Sequence, residues 1–357
     1  MTARIAALQA LLPAADVDAL LVTDLVNVAY LSGFTGSNAA LAVPVEGDPV
    51  LVTDARYTER AAAEAPGFEI VVDRAAGAAA ARTAAARGAR RLGYESAHVS
   101  VDEHGVLVAA AGSAGLRRAS GLVEQLRAVK DDAEIAALRT ACAVADAALT
   151  DLLAAGGLAA GRTEREIARD LEDRMRDHGA PGPSFDSIIA AGPHAAIPHH
   201  SPTDTPLQRG DLVIVDFGAL AGGYHSDATR TFVVGPAAEW QREIHAVVAE
   251  GQRLGRAALR PGATSAEVDG AARDSIAGAG YGEAFSHGLG HGIGLQIHEA
   301  PWIMPKGSAE LAAGMAVTVE PGVYLPGRGG VRIEDSLVVR DGEPELLTLL
   351  PRELVEV

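Results

Sequence analysis

The chain has 357 residues, 48% of them hydrophobic and 22% charged, and carries a formal net charge of −17 from 47 acidic and 30 basic side chains. That length exceeds the usual size of a single core and predicts two domains. The acidic excess repels phosphate backbones and anionic lipid, which argues against a nucleic-acid partner, and a single cysteine, Cys142, excludes an intramolecular disulfide and points to a cytoplasmic setting.

At the start, Ile5, Leu8, Leu11 and Leu12 recur at helical spacing after Arg4, which predicts an amphipathic helix rather than a secretory signal. The longest uncharged stretch, Leu25 to Val45, is broken by Asn27, Gly33, Gly36 and Pro44, so no membrane-spanning segment is expected. From residue 17 to about 122, short β-like runs (DALLVT, AALAV, PVLVTD, FEIVVD, RLGYES) alternate with Ala-rich helical ones. This pattern predicts a small open α/β domain over 1–122. The following segment, LVEQLRAVKDDAEIAALRTACAVADAAL, is expected to form one long helix that opens a second domain over 123–357 and buries Cys142 as a small apolar side chain.

Within that second domain two stretches resemble each other, GRTEREIARDLEDRMRDHG from Gly161 and GATSAEVDGAARDSIAGAG from Gly262. Each places a threonine (Thr163, Thr264) three residues before a glutamate (Glu166, Glu267), the signature of a helix capping box. The repetition predicts an internal αβ duplication and a pseudo-symmetric domain.

Eight of the eleven histidines fall between His194 and His298, where an even spread would put about three. The same region carries acids inside apolar, β-like runs: Asp216 in LVIVDFGAL, Asp227 in YHSDATRTFVV, Glu320 in AVTVEPGVYL and Glu334 in GVRIEDSLVV. A carboxylate in a buried strand is costly unless a cation accompanies it. Arg230 and Arg332 are candidate partners. The pair Asp216 and Asp227 is expected to face across a hairpin whose turn holds Gly222 and Gly223. Four carboxylates with imidazoles from FSHGLGHGIGLQIHE suit two divalent ions of intermediate hardness, manganese, cobalt or zinc, sharing bridging oxygens.

The blocks VDFGALAGGYHSDATRT, HGLGHGIGLQIHE, TVEPGVY and GVRIED, in that order, resemble the signatures of the pita-bread metallopeptidases, the group that includes aminopeptidase P and prolidase. SGFTGSNAAL and TDARYTERA resemble the smaller N-terminal domain of the Xaa-Pro members. The resemblance implies a small α/β domain followed by a pseudo-symmetric α+β catalytic domain. It also implies an Xaa-Pro peptidase, dipeptidase or aminopeptidase, acting on proline-containing dipeptides or short peptides. Asp216 would hold one ion, His291 and Glu320 the other, and Asp227 and Glu334 would bridge both. Manganese is the family's usual ion, and a water activated between the ions would attack the carbonyl preceding proline. Glu320 would act as general base.

By the same resemblance His199 would stabilise the tetrahedral intermediate, with its neighbour His200 as the competing assignment. His298 would lie near the substrate carbonyl, and His287 and Arg332 fall on active-site positions. Tyr324 is expected either to reach the substrate or to pack, while His194, His225 and His245 are expected in structural or surface roles. Trp302 stands where many prolidases carry an arginine for the dipeptide's carboxylate, a contact tryptophan cannot make. Arg56, reaching over from the N-terminal domain of a partner subunit, and Arg328 are alternative readers. A homodimer is expected, and a catalytically silent peptide-binding relative is the competing function.

Overall fold

The computed structural model describes residues 3–357, which form two compact units divided between Arg127 and Ala128. In the first unit, α1 (Ala3–Leu11) buries Ile5 and Leu8, the face marked by its spacing. A six-stranded sheet follows, built from β1 (Ala19–Val22), β2 (Ala39–Pro44), β3 (Val50–Thr53), β4 (Glu69–Val72), β5 (Arg91–Tyr94) and β6 (Gly115–Arg118) in the order β4-β3-β2-β1-β5-β6. Only the β1–β2 and β2–β3 pairs are antiparallel. The helices α2 (Leu25–Ser32), α3 (Thr58–Glu64), α4 (Ala76–Ala86) and α5 (Val101–Ala111) connect the strands. In α4, small side chains such as Ala79 and Ala80 let the helix lie against the sheet residues Ala40, Ala42 and Val52. Five strands match the expected runs. β6 does not, because GLRR is a mostly exposed edge strand without apolar alternation.

The expected long helix is two helices, α6 (Leu122–Ala128) and α7 (Asp132–Ala154). The break has two causes. Asp131 accepts from the Glu134 amide while Glu134 accepts from the Asp131 amide, a complete capping box that starts a new helix. The intervening residues are also recruited elsewhere, since Val129 bridges Met315 and the Lys130 amide donates to the Gly314 carbonyl at 2.9 Å.

The rest of the second unit comprises α8 (Glu164–Asp177), β7 (Gly182–Pro183), β8 (Ile188–Ala191), β9 (Leu212–Phe217), β10 (Ala219–Ala221), β11 (Tyr224–His225), β12 (Ala228–Val233), α9 (Glu239–Ala258), α10 (Ser265–Gly278), β13 (Gly290–Gly292), β14 (Glu299–Ile303), β15 (Ala316–Val319), β16 (Gly322–Leu325), β17 (Gly329–Arg332), β18 (Asp335–Val338), β19 (Glu345–Leu346) and β20 (Val355–Glu356). Its two halves repeat. Both expected capping boxes form at the starts of α8 and α10, and both cap residues make the same kind of extra bridge, Thr163 to Pro206 and Thr264 to Glu310. α7 and α8 pack Leu149, Leu152, Ile167 and Leu171 against Val213 and Val215 of β9. α9 and α10 pack Ile244, Val248, Val268 and Ile276 against Val317 and Val319 of β15. The antiparallel pairs β9–β12 and β15–β18 form the spines of the two halves, and a bridge from Thr229 to Glu334 joins them. Cys142 is buried, and burial pushes its thiol pKa up, so it is an inert packing residue.

Candidate metal centre and catalytic pocket

At the seam between the two halves the strands are interrupted, and the expected acids sit at those interruptions. Asp216 is on β9, paired in register with Thr229, but Asp227 lies just before β12, Glu320 just after β15, and Glu334 between β17 and β18. The expected hairpin between Asp216 and Asp227 is more elaborate than a single turn. β10 and β11 form their own small ladder, closed by Gly222 (φ 58°) and Gly223 (φ 83°), whose left-handed backbone suits a two-residue hairpin turn.

His291 is on β13. Its ring Nδ1 donates to the Gly292 carbonyl at 3.0 Å, which leaves the Nε2 lone pair facing the acids, 3.5 Å from Glu320 and 3.6 Å from Asp227. The glycines beside it are sterically required. A Cβ on Gly290 would meet the Thr318 carbonyl at 2.1 Å, and one on Gly292 would meet the Ala300 carbonyl at 2.2 Å. Asp227, His291 and Glu334 offer donor atoms that all lie within 4.8 Å of one another.

Second-layer groups hold these side chains. Arg332 donates to Asp216 at 2.7 Å, and Thr229 donates its hydroxyl to Glu334 at 2.7 Å while accepting from Arg332 at 3.1 Å. Asp216 Oδ1 and Glu334 Oε1 are buried without a hydrogen-bond partner among the described residues. Arg332 therefore serves as the expected ion-pair partner, but Arg230 does not. It pairs with Asp335 at 2.8 Å and donates to the backbone carbonyls of Glu334 and Leu350, in a buried network with Arg352 and Gln252. The acid beside Glu334 in GVRIED was the overlooked signal for that network.

The electrostatics follow from this crowding. Burial, then repulsion from Glu334, Asp216 and Glu320, holds the Asp227 carboxyl well above its usual range. Burial followed by Glu320 and Asp216 does the same to Glu334, and burial pushes Glu320 up to about 8. Burial lowers His291 to about 4, so its imidazole is neutral at pH 7 and can act as a ligand. Four acids sharing one guanidinium, with two orphaned carboxylate oxygens and a directed imidazole lone pair, form a donor set that fits divalent cations.

These groups line a cavity of about 330 Å³ together with His199, His287, His298 and Trp302, and apolar walls from Phe185, Ile297 and Met304. His199 is exposed on the cavity side, whereas His200 is buried and bonded to Glu164 at 2.8 Å, as is His194 at 2.9 Å. His298 packs edge-on against His291, its ring centroid 4.4 Å away. The next residue, Glu299, is tied to buried Lys130 at 2.6 Å. Tyr324 is buried behind the cavity, accepting from Arg332 at 2.9 Å and hydrogen-bonding His287 at 2.8 Å, so it supports those two groups instead of lining the wall. His225 bonds Ser184 and His245 is buried. Trp302 is 48% exposed and stacks near His298. Of the alternative carboxylate readers, Arg328 lies over the Trp240 ring at 4.0 Å and Arg56 pairs with Asp54 at 2.8 Å.

The model of "Metallopeptidase family M24" matches residues 136–341, and that of the "Creatinase/Prolidase N-terminal domain" matches residues 4–129. An uncharacterized peptidase, YqhT, of Bacillus subtilis is 41% identical over 95% of this chain and 96% of its own length. An Xaa-Pro dipeptidase of Pyrococcus horikoshii is 36% identical over 95% of both. Among solved structures, an Xaa-Pro dipeptidase from Bacillus anthracis superposes with a TM-score of 0.95 at 38% identity, covering 99% of each chain. An X-Pro aminopeptidase from Thermotoga maritima does so with 0.88 at 34% identity, covering 97% of this chain and 99% of that one.

Proposed function

The chain belongs to metallopeptidase family M24, and from that premise we propose that it hydrolyses the Xaa-Pro bond of dipeptides or short peptides. The observation that carries this reading is the convergence of Asp216, Asp227, Glu320, Glu334 and the neutral His291 on one cavity that also presents three further histidines. The first five would hold two divalent ions, with manganese the expected species and cobalt or zinc acceptable to the same donors. Such ions, when bound, polarise a carbonyl and lower the pKa of water toward neutrality.

The residues of the chain then divide the remaining work. Glu320, whose carboxylate also reaches the cavity, is suited to take a proton from the attacking water and return it to the departing proline nitrogen. That nitrogen carries no proton of its own, so it must be protonated to leave. His199 and His298 reach the cavity as uncommitted imidazoles able to donate to the developing oxyanion. His287, kept neutral by burial and bonded to Tyr324, and Arg332, tied to Asp216, hold the wall rigid. The apolar side of the cavity, Phe185, Ile297 and Met304, suits a pyrrolidine ring and an apolar Xaa side chain. Cytoplasmic location and a homodimer belong to the same proposal.

Dipeptidase and aminopeptidase activities differ in whether the substrate's carboxylate lies one residue beyond the scissile bond. Cleavage of an Xaa-Pro dipeptide and of a tripeptide beginning Xaa-Pro should be compared with manganese present and after chelation. Metal-dependent cleavage of one or both is expected, and their ratio distinguishes the two activities. Full activity in metal-stripped protein would overturn the reading.

A further inference from the structure

Behind the loop that presents His199 lies a carboxylate with no part in the chemistry described so far. Glu164, the first residue of α8, is fully buried, yet its two oxygens accept five hydrogen bonds. Oε1 accepts from the Ala191 amide at 2.9 Å and from His194 Nδ1 at 2.9 Å. Oε2 accepts from His200 Nε2 at 2.8 Å and from the amide and hydroxyl of Thr203 at 2.9 and 2.8 Å. The donors come from the end of β8, from the short 3-10 turn Gly192–Ala196, and from the irregular stretch after it. They therefore bracket Pro198 and His199 on both sides.

Regular secondary structure does not define the stretch between these donors. Residues 197–200 belong to no helix or strand; the Ile197 amide donates to the His194 carbonyl at 2.9 Å, and the Pro198 carbonyl receives a long, 3.4 Å bond from Arg332. On the near side of the bracket, β17 comes so close that a Cβ on Gly330 would meet the Ala195 carbonyl at 2.3 Å. The rings of His194 and His200 stack with centroids 4.3 Å apart, which makes the gathered flanks a single packed unit. Burial alone would raise the Glu164 carboxyl, but the bonds from His200, Ala191, Thr203 and His194 overcome that effect and hold it below its usual range. The N-terminus of α8 adds a favourable dipole.

We propose that Glu164 is a positioning residue for the hydrolytic reaction, gathering the two flanks of the 191–203 loop so that the His199 imidazole stands in the cavity. The proposal rests on His199 acting on the substrate. Side chains that orient a reacting group are felt in turnover, because small misplacements of a catalytic group cost large factors in rate.

The test is a double-mutant cycle of Glu164→Gln with His199→Ala in the manganese-loaded protein, reading kcat, KM, bound metal per chain and thermal melting. Glu164→Gln alone is expected to lower kcat roughly 10- to 100-fold with KM and bound metal unchanged. In the His199→Ala background it is expected to cost nothing further. His200→Ala, which removes one of the five bonds, should show the same pattern at smaller amplitude and serves if Glu164→Gln fails to fold. Additive losses in kcat, or a loss of bound metal in proportion to activity, would overturn the positioning role alone. Full kcat in His199→Ala by itself would overturn the role given to His199, and this proposal with it.

Discussion

Asp227, Glu320 and Glu334 hold protons more readily in the absence of cations, because burial and the neighbouring carboxylates disfavour their charge. Glu320 has an ordinary carboxyl value of 4.5 when unfolded and about 8 in the fold, so between those limits the folded chain binds more protons than the unfolded one. The buried histidines give the opposite slope below about pH 6.5, where they charge only on unfolding, so stability of the metal-free protein should fall as pH rises from about 6.5 through about 8. Calorimetric melting of chelated protein is expected to show a lower Tm at pH 8 than at pH 6.5, and saturating manganese should abolish or reverse the trend. A metal-free Tm that rises over that range would contradict the assignment. At this scale the candidate ligands were legible in the sequence, since Asp216 and Glu334 stand out against apolar neighbours. Tyr324 and Thr229 were not legible in their roles. One joins Arg332 to His287 and the other joins Arg332 to Glu334, contacts made only when distant strands meet.

At the scale of elements, the site is made by where strands stop. β12, β15 and β18 each begin or end beside a candidate ligand, and β13 is threaded between β14 and β15 by glycines. Gly290→Ala would press a Cβ against the Thr318 carbonyl, a backbone atom that moves only if β13 and β15 separate. We expect a loss of about 1–3 kcal/mol, measured by urea unfolding of the metal-free protein, together with weaker manganese binding because His291 shifts with its strand. Unchanged stability and metal affinity would count against this account of the strand's packing. The capping boxes at Thr163 and Thr264 were read correctly from four residues each, because helix starts obey short-range hydrogen bonding. The break between α6 and α7 was missed even though Asp131 and Glu134 form the same kind of box. Helical spacing ran on across it, and the bridge from Val129 to Met315 that interrupts it spans nearly two hundred residues.

For the whole molecule, a net charge of −17 opposes non-specific association, so any stable self-assembly must rest on a specific interface. The proposed homodimer predicts a light-scattering mass about twice that of one chain at all working concentrations. The mass of a single chain throughout would refute it. No helix among the described residues is long and apolar enough to cross a membrane, consistent with the broken apolar stretch at Leu25–Val45. The sequence by itself determined the alternation of the first unit, the duplicated helix starts and the set of acids and imidazoles that suit a metal centre. These features follow from burial, periodicity and capping, which act over a few residues. Only the tertiary structure decided that His199 faces the cavity while His200 turns to Glu164, that Arg230 serves Asp335 instead of the candidate ligands, and that Tyr324 backs the wall. Each of those outcomes depends on which partner far along the chain a side chain meets, and local propensity carries no information about that choice.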